Sequence, residues 1–375
     1  MRTSRVIVVV AAVVVAIASV PPARAGSSGR APSGPPRLRL VRVLSAEQPV
    51  GFTFTPSGKI VYLERASGRL RSFDPRSGRA RTLFRFTRVD VEGERGALGV
   101  ALHPGWPDRS WIYAFVTREA GGTLRNQVVR VRRSGRGFEV LLNLPIGGRA
   151  NHNGGRILFG PDGNLYVIVG DGGEDPGTAQ DLAERRGKVL RLAPNGSVAP
   201  GNPFASYVWA YGIRNSIGLA FDPRVGSLWE TENGPACNDE INVIQEGQNH
   251  AWGPLQDCGS AAAPLDTNAD GPDPKILPVA WFEDTLAVTG IAFCRGCGLG
   301  RPFRGRALFA CANGNCRRDW RGLGLLRPNA ARDGLAAPPQ PVPNDHGGPL
   351  YSVERAPDGR LYASDPTGIY RIDRR

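Results

Sequence analysis

The chain repeats one pattern of apolar and polar positions from residue 51 to its end. An apolar stretch of four to six residues is followed by a Pro or Gly turn and then by a second apolar stretch. Clear copies are GFTFTPSGKIVYLE, beginning at 51, GRILFGPDGNLYVIVGDGG, beginning at 155, and YSVERAPDGRLYASD, beginning at 351. Two short apolar runs around such a turn predict a β-hairpin. No long stretch shows helical periodicity.

Six of these hairpin units follow one another, and a further strand often comes after the hairpin, as in GRLRSFDP, GKVLRLAP and GIYRIDRR. Such repetition predicts an all-β protein, a six-bladed β-propeller with four-stranded antiparallel blades over residues 38–375. A propeller also accounts for the length, since the chain is longer than one ordinary core usually holds. The alternative is a pair of β-sandwich domains.

The repeat aligns equivalent positions in the six units. When the units are superposed on the residue two before the turn proline, the residues seven positions earlier are Glu47, Arg95, His152, Arg214, Leu286 and Gly348. These residues precede the first strand of each blade. Because that strand is normally the innermost one in a propeller, we expect them to ring one mouth of the central channel.

The second strand of each hairpin returns to the end where the first began. The residues after it, such as Asp171, therefore lie on the same face. We expect His152 to meet Asp171 at this mouth, which is the usual place for a binding site in such a fold. The polar residues expected beside them, from the following blade, are Arg214, Asn215, Glu232 and Asn233.

These side chains offer acid–base chemistry. His152 is a candidate general base near neutral pH, Asp171 could fix its tautomer, and Arg214 could polarise a carbonyl or hold an anion. The oxygens of segment 232–240 suit Ca²⁺. The alternative for each is structural, as a turn residue or a solvated cap. No Ser or Cys accompanies His152 in the repeat, so acyl transfer has little support.

The first 25 residues have the form of a secretory signal peptide. A basic start is followed by a 15-residue apolar run and by PPARA, which predicts cleavage after Ala25 and an exported protein, at the cell surface or in the periplasm. An uncleaved anchor is the alternative, although the run is short for a membrane span. Residues 26–37 are predicted to be a flexible lead-in.

Charge and cysteine content add two open questions. The net charge is +13, and nearly all basic residues are Arg and lie spread along the chain. A genomic composition bias explains this charge. Attraction to anionic ligands or cell-surface polymers is the alternative, and binding to nucleic acid is not expected. Six Cys in an exported chain predict disulfides, with Cys237–Cys258 as one. The other four, Cys294, Cys297, Cys311 and Cys316, could also hold zinc, and their pairing stays open.

Several segments resemble the soluble PQQ-dependent sugar dehydrogenases, the glucose/sorbosone dehydrogenase family. They include EGERGALGVALHPGW (92–106), NHNGGRILFGPDGNLYVIVGDGG (151–173), VWAYGIRNSIGLAFDP (208–223) and ENGPACNDEINVIQEGQNHAWG (232–253). The likeness extends over about residues 40–373. It implies a six-bladed propeller that oxidises an aldose or a related aldehyde by hydride transfer to PQQ, with Ca²⁺ as a second cofactor and an unidentified electron acceptor.

The resemblance also implies residue roles. His152 would take the hydroxyl proton, supported by Asp171, with Arg214 as the third catalytic residue. The implied cofactor contacts are Arg214, Asn215, Glu94, Asn313 and Thr285. The implied metal ligands are the carbonyls of Gly234 and Pro235, and, in a second calcium region, Asp239 and Glu240.

The chain departs from the family in its last third. Where the glucose-oxidising members hold PQQ carboxylates with a lysine and two arginines, this chain has Asn313, Pro349 and Tyr351. Arg317, Arg318 or Arg355 are the candidate substitutes. The departures keep open a non-catalytic propeller that binds a protein or polysaccharide. A lactonase-like metal hydrolase is a weaker alternative, because the repeat supplies His and Arg rather than several carboxylates.

Overall fold

The structure, a computed structural model, describes residues 35–253 and 271–375. The predicted signal peptide and Cys258 lie outside these residues. Within them, the chain forms 24 strands in six four-stranded antiparallel sheets. These sheets are the blades of a six-bladed β-propeller, which confirms the predicted fold and excludes the pair of β-sandwiches.

Each of the first three blades is a meander of four consecutive strands that follows β1 (Leu38–Ser45) in the chain. Blade 1 contains β2 (Phe52–Phe54), β3 (Ile60–Leu63), β4 (Arg69–Asp74) and β5 (Arg79–Arg85). Blade 2 contains β6 (Ala97–Leu102), β7 (Trp111–Ala120), β8 (Thr123–Arg132) and β9 (Glu139–Leu144). Blade 3 contains β10 (Ile157–Phe159), β11 (Leu165–Val169), β12 (Lys188–Leu192) and β13 (Val208–Tyr211).

Blades 4 and 5 repeat the meander, and blade 6 closes the ring. Blade 4 contains β14 (Ser216–Phe221), β15 (Leu228–Glu232), β16 (Cys237–Ile244) and β17 (Ala280–Asp284). Blade 5 contains β18 (Val288–Phe293), β19 (Ala307–Cys311), β20 (Leu323–Pro328) and β21 (Leu335–Pro341). Blade 6 contains β22 (Ser352–Arg355), β23 (Leu361–Asp365) and β24 (Gly368–Arg374), and β1 pairs with β24 as its outer strand. The start of the propeller is thereby fastened to its end.

The first strand of each meander is the innermost one. The inner strands contact one another in sequence around the ring, and β22 returns to β2. Short helical turns occur only in the connections of the described chain, at Pro176–Ala179, Arg301–Phe303 and Cys316–Trp320. No helix in the described part of the chain is long and apolar enough to span a membrane.

The hydrophobic core is divided into six clusters, one at each contact between neighbouring blades. Between blades 1 and 2, for example, Val61 and Leu63 of blade 1 share one buried cluster with Ile112 and Ala114 of blade 2. Each buried Val, Leu or Ile side chain of this kind contributes on the order of 1.5–3 kcal/mol. Blades therefore stabilise one another around the ring, which explains how a chain of this length folds without a single central core.

The cysteines of blade 5 form disulfides. Cys294 pairs with Cys297, and Cys311 pairs with Cys316. The prediction of disulfides is confirmed for these four residues, whose pairing the sequence left open, and all four sulfurs are thereby used without zinc. The Cys311–Cys316 bond closes the loop that carries Asn313.

Candidate active site

His152 and Asp171 meet at one mouth of the channel. The segment NHNGG leads into β10, and Asp171 comes just after β11, the antiparallel partner of β10. Their side chains join through His152 Nδ1 and Asp171 Oδ1, 2.6 Å apart. Both side chains are buried. The meeting predicted from the 19-residue spacing is therefore observed.

The Asp171 carboxylate is fixed by three hydrogen-bonding groups, one of which is His152. Its Oδ1 also accepts a hydrogen bond from the Gly173 amide (2.8 Å), and its Oδ2 accepts one from the Trp252 indole Nε1 (2.8 Å). Hydrogen bonds to a carboxylate stabilise its charged form. A carboxylate that accepts from Nδ1–H leaves Nε2 of His152 as the unprotonated nitrogen. The pair is thus arranged to take up a proton at Nε2.

His152 has an unusual backbone conformation that a neighbouring acid supports. Its φ is +55°, in the left-handed region that non-glycine residues rarely occupy. The His152 amide donates to Glu94 Oε2 (2.8 Å), and the Asn215 side-chain amide donates to both oxygens of the same carboxylate (3.2 Å each). Glu94 therefore links blades 2, 3 and 4 at the mouth.

The backbones of blades 3 and 4 approach closely at Gly170. A Cβ at this residue would collide with the carbonyl groups of His152 and Arg214. Next to it, the Asp171 amide donates to the Arg214 carbonyl (2.8 Å). The absence of a side chain at Gly170 is therefore what allows the histidine and arginine segments to lie side by side.

Arg214 lies in the loop between β13 and β14. Its Nη1 donates to the carbonyls of Asn233 (2.7 Å) and Gly234 (2.9 Å), and its guanidinium carbon lies 5.2 Å from the centre of the Trp252 ring. Burial lowers the pKa of Arg214 below its ordinary value, and the negative charge of Asp171 is the largest effect opposing that shift. Nε of Arg214 is buried without a hydrogen-bond partner.

The segment that follows β15 carries the predicted metal ligands. Asp239 accepts from the Gly234 amide (2.9 Å) and from the Leu286 amide (2.6 Å), and its pKa is raised to about 6 by burial. Glu240 is buried and accepts from Asn242. Pro235 is half-buried. No group of three or more His, Cys, Asp or Glu side chains in the described residues is arranged to hold a metal ion, so the metal assignments stay predictions.

Two more glutamates of blade 4 are buried beneath this segment. Glu232 accepts from the Arg214 amide (2.7 Å) through Oε1, and Oε2 has no partner. Burial, followed by the charges of Glu230 and Glu240, raises the pKa of Glu232 well above its ordinary value. Burial also raises the pKa of Glu230 to about 7. These acids therefore retain protons more readily than exposed glutamates do.

The predicted residues of blade 5 contact one another. The Asn313 side-chain amide donates to the Thr285 carbonyl (2.6 Å), and the Asn313 side-chain oxygen Oδ1 accepts from the Cys316 backbone amide (2.9 Å). Arg318 is exposed and paired with Asp319, and Arg317 is also exposed. Arg355 lines a cavity at the opposite end of the channel. The structure therefore offers no support for these three arginines as substitutes at the mouth.

The mouth encloses a cavity of about 230 Å³, and some residues that line it were not predicted from the repeat. Among them are Gln48, Arg65 and Tyr351. Arg65 donates to Gln48 Oε1 (3.1 Å) and to the carbonyls of Val91 (3.1 Å) and Gly93. Arg65 comes two residues after β3, and Asp171 comes two residues after β11, so the two residues occupy equivalent positions in their blades. The repeat that placed Asp171 at the mouth therefore also contains the spacing that places Arg65 there.

Arg156 closes the channel below the mouth. It donates to the Ile217 carbonyl (3.2 Å), to Glu354 (3.1 Å) and to Ser352 Oγ (2.9 Å), and so joins blades 3, 4 and 6. Arg156 lines both the mouth cavity and the cavity of about 420 Å³ at the other end. A ligand that enters the mouth therefore meets a polar floor.

Comparison with known proteins extends the likeness to nearly the whole propeller. The family model described as Glucose / Sorbosone dehydrogenase matches residues 46–368. Aldose sugar dehydrogenase YliI of Escherichia coli K12 is 31% identical over 266 residues, 66% of this chain and 70% of that protein. A solved structure of a Thermus thermophilus protein named as a glucose dehydrogenase has a TM-score of 0.74 and is 34% identical, covering 89% of this chain and 99% of that chain. The PQQ-bound aldose sugar dehydrogenase of Streptomyces coelicolor also has a TM-score of 0.74 and is 28% identical, covering 92% of this chain and 99% of that chain.

Proposed function

Because the chain belongs to the glucose/sorbosone dehydrogenase family, we propose that it is a PQQ-dependent aldose dehydrogenase. The observation that carries the proposal is the buried His152–Asp171 pair at the channel mouth. The similarity to a PQQ-bound aldose sugar dehydrogenase supports both the sugar substrate and the cofactor. The reaction is the oxidation of an aldose or a related aldehyde.

The residues at the mouth fit a planar quinone that carries carboxylates. Arg65 lines the mouth cavity. Arg214 precedes Asn215, whose side chain contacts Glu94 of the same lining. Guanidinium groups bind carboxylates well. Arg214 Nε and Asn215 Oδ1 are buried polar atoms without partners, which a bound polar ligand would satisfy. When bound, PQQ supplies a two-electron oxidant that accepts the hydride.

The side chains around the cavity handle the proton. His152 accepts the hydroxyl proton of the sugar at Nε2, as the carbon loses its hydride. Asp171 stabilises the resulting imidazolium through Nδ1–H, and Trp252 and the Gly173 amide keep that carboxylate in place. Glu94 holds the backbone of His152 from across the mouth. A positioned general base of this kind typically contributes about 10²–10⁴-fold to the rate.

Calcium is the second proposed cofactor. The carbonyls of Asn233 and Gly234 converge on a cationic group, the Arg214 guanidinium, and carbonyl oxygens are ligands that Ca²⁺ prefers. Asp239 fixes the amide of Gly234 and so the direction of this segment. We propose that Gly234 and Pro235 offer their carbonyls to Ca²⁺, with Asp239 and Glu240 in a second region. Calorimetric titration of the purified chain with Ca²⁺ tests this.

We also propose that the protein is exported and passes its electrons to an acceptor outside the cytoplasm. The N-terminal signal predicts a protein outside the cytoplasm, where a small-molecule sugar and an external acceptor are both accessible.

The test combines binding and turnover in the full-length mature chain. PQQ is titrated in the presence of Ca²⁺ and followed by its absorbance, and the loaded protein is assayed with a panel of aldoses and a dye acceptor. We expect saturable binding and dye reduction with at least one aldose. Saturable binding without turnover of any sugar would favour the non-catalytic propeller. Absence of both would reject the proposal.

A further inference from the structure

The positive charge of the chain is concentrated in blades 1 and 2. Residues 52–144 contain 17 Lys and Arg against 8 Asp and Glu, a net charge of +9. Residues 145–375 contain 23 Lys and Arg against 25 Asp and Glu, a net charge of −2. Per residue, Lys and Arg are almost twice as dense in the first of these segments as in the second, whereas Asp and Glu are nearly evenly distributed. A uniform composition bias does not produce this asymmetry, so the charge of these two blades needs a separate explanation.

Strand direction places much of this charge on the face opposite the active-site mouth. The inner strands begin at the mouth, so the first and third connections of each blade lie at the other end. In blades 1 and 2 these connections are residues 55–59, 75–78, 103–110 and 133–138. The exposed arginines within or beside them are Arg76, Arg79, Arg109, Arg132, Arg133 and Arg136.

A groove between blades 1 and 2 collects part of this charge. It has a volume of about 300 Å³, and Lys59, Arg81 and Arg133 line it together with Trp106. Lys59 pairs with Asp74 (3.0 Å). In the described part of the chain, Arg81 and Arg133 make no ion pair with a carboxylate. Two guanidinium groups are therefore available for an anion.

The other groups of the groove suit a carbohydrate. Arg81 Nε donates to Ser72 Oγ (3.3 Å), and the hydroxyls of Thr55 and Ser57 lie in the same lining. The guanidinium carbon of Arg133 lies 5.9 Å from the centre of the half-buried Trp106 ring. Hydroxyls can hydrogen-bond to sugar hydroxyls, and an amphipathic aromatic ring offers a face for a sugar ring.

We propose that this groove binds an anionic polysaccharide. Sulfate, phosphate or carboxylate groups of the polymer would contact Arg81, Arg133 and Lys59, and a sugar ring would lie against Trp106. A recessed groove with hydroxyls and one aromatic ring favours a saccharide over a nucleic acid, which is bound mainly through its phosphate backbone. Because the groove lies opposite His152, a chain bound to such a polymer keeps its active-site mouth open to solvent.

Binding of heparin to the full-length mature protein tests the proposal, with calorimetry at near-physiological salt. We expect saturable binding that weakens as salt rises. The double variant R81A/R133A should bind on the order of tenfold more weakly, as expected for two lost charge-assisted contacts. The double variant R301A/R327A, which removes two exposed arginines from blade 5, should stay within about twofold, and W106A should weaken binding without changing the net charge.

Several results would overturn the proposal. These are no heparin binding by the wild type, equal losses in the two double variants, or tighter binding of duplex DNA with the same dependence on Arg81 and Arg133. Circular dichroism shows whether each variant is folded. The proposal does not depend on the dehydrogenase assignment, because R81A/R133A should retain PQQ binding and sugar turnover whichever way the heparin result falls.

Discussion

Trp252 is predicted to be a positioning residue, because it contacts both Asp171 and Arg214. Its indole Nε1 donates to Asp171 Oδ2 (2.8 Å), and its ring lies beneath the Arg214 guanidinium. Trp252→Phe removes the N–H and keeps an aromatic ring. A hydrogen bond to a charged group contributes about 1.5–3 kcal/mol. Because Asp171 retains the Gly173 amide and His152 as donors, we expect turnover to fall about tenfold, near the low end of that range.

Trp229→Phe is the matched control for this variant. Trp229 is equally buried, and its indole donates to a neutral acceptor, Ser227 Oγ (3.1 Å), in blade 4 away from the mouth. The two substitutions remove the same atoms, so urea unfolding should show W252F less stable than W229F by about 1 kcal/mol. Only W252F should lose activity in the PQQ- and dye-linked assay. Equal turnover in the two variants would refute the role given to the indole.

Three further predictions concern the same region. Burial lowers the pKa of His250 to about 4, below its value in the unfolded chain. The free energy of unfolding should therefore be highest above about pH 6.5 and fall by about 3 kcal/mol as pH decreases toward 4, because the unfolded state takes up the proton first. In urea unfolding, His250→Phe should lose less stability over that range than the wild type, and parallel curves would contradict this. Glu94→Gln keeps an acceptor for the His152 amide and should retain turnover within a few-fold, whereas turnover of Glu94→Ala should fall at least about tenfold. Equal turnover rates in the two variants would reject the role of Glu94 in holding the His152 backbone. Gly170→Ala should force the His152 and Arg214 segments apart and abolish turnover, while Gly314→Ala, where a Cβ meets nothing within 4 Å, should remain active; an active G170A would show that the mouth tolerates the displacement.

The hairpin repeat was sufficient to predict the fold. Apolar runs on both sides of a proline turn define strands locally, and six copies can bury their faces only by packing on one another. The same repeat predicted the meeting of His152 and Asp171, because antiparallel partners bring the start of one strand to the end of the next. The predicted blade architecture and this contact are both observed.

Contacts made by long connections were not predictable in the same way. Trp252 reaches Asp171 from the loop after β16, 81 residues away, and no periodicity marks that approach. The cations at the mouth are a second example. Arg317 and Arg318 lie in the short helical turn at Cys316–Trp320 and face outward, whereas Arg65 enters the cavity from blade 1. The repeat predicts the positions of residues in and next to strands. The positions of side chains in irregular loops depend on tertiary packing, which the repeat does not encode.

The central claim is that His152 is the proton acceptor for sugar oxidation at this mouth. The most direct measurement is the single-turnover reduction of bound PQQ by an aldose, followed by absorbance in the wild type and in His152→Gln. We predict equal PQQ stoichiometry in the two proteins and a reduction rate in the variant that is lower by about 10²-fold or more. A variant that reduces PQQ as fast as the wild type would contradict the account.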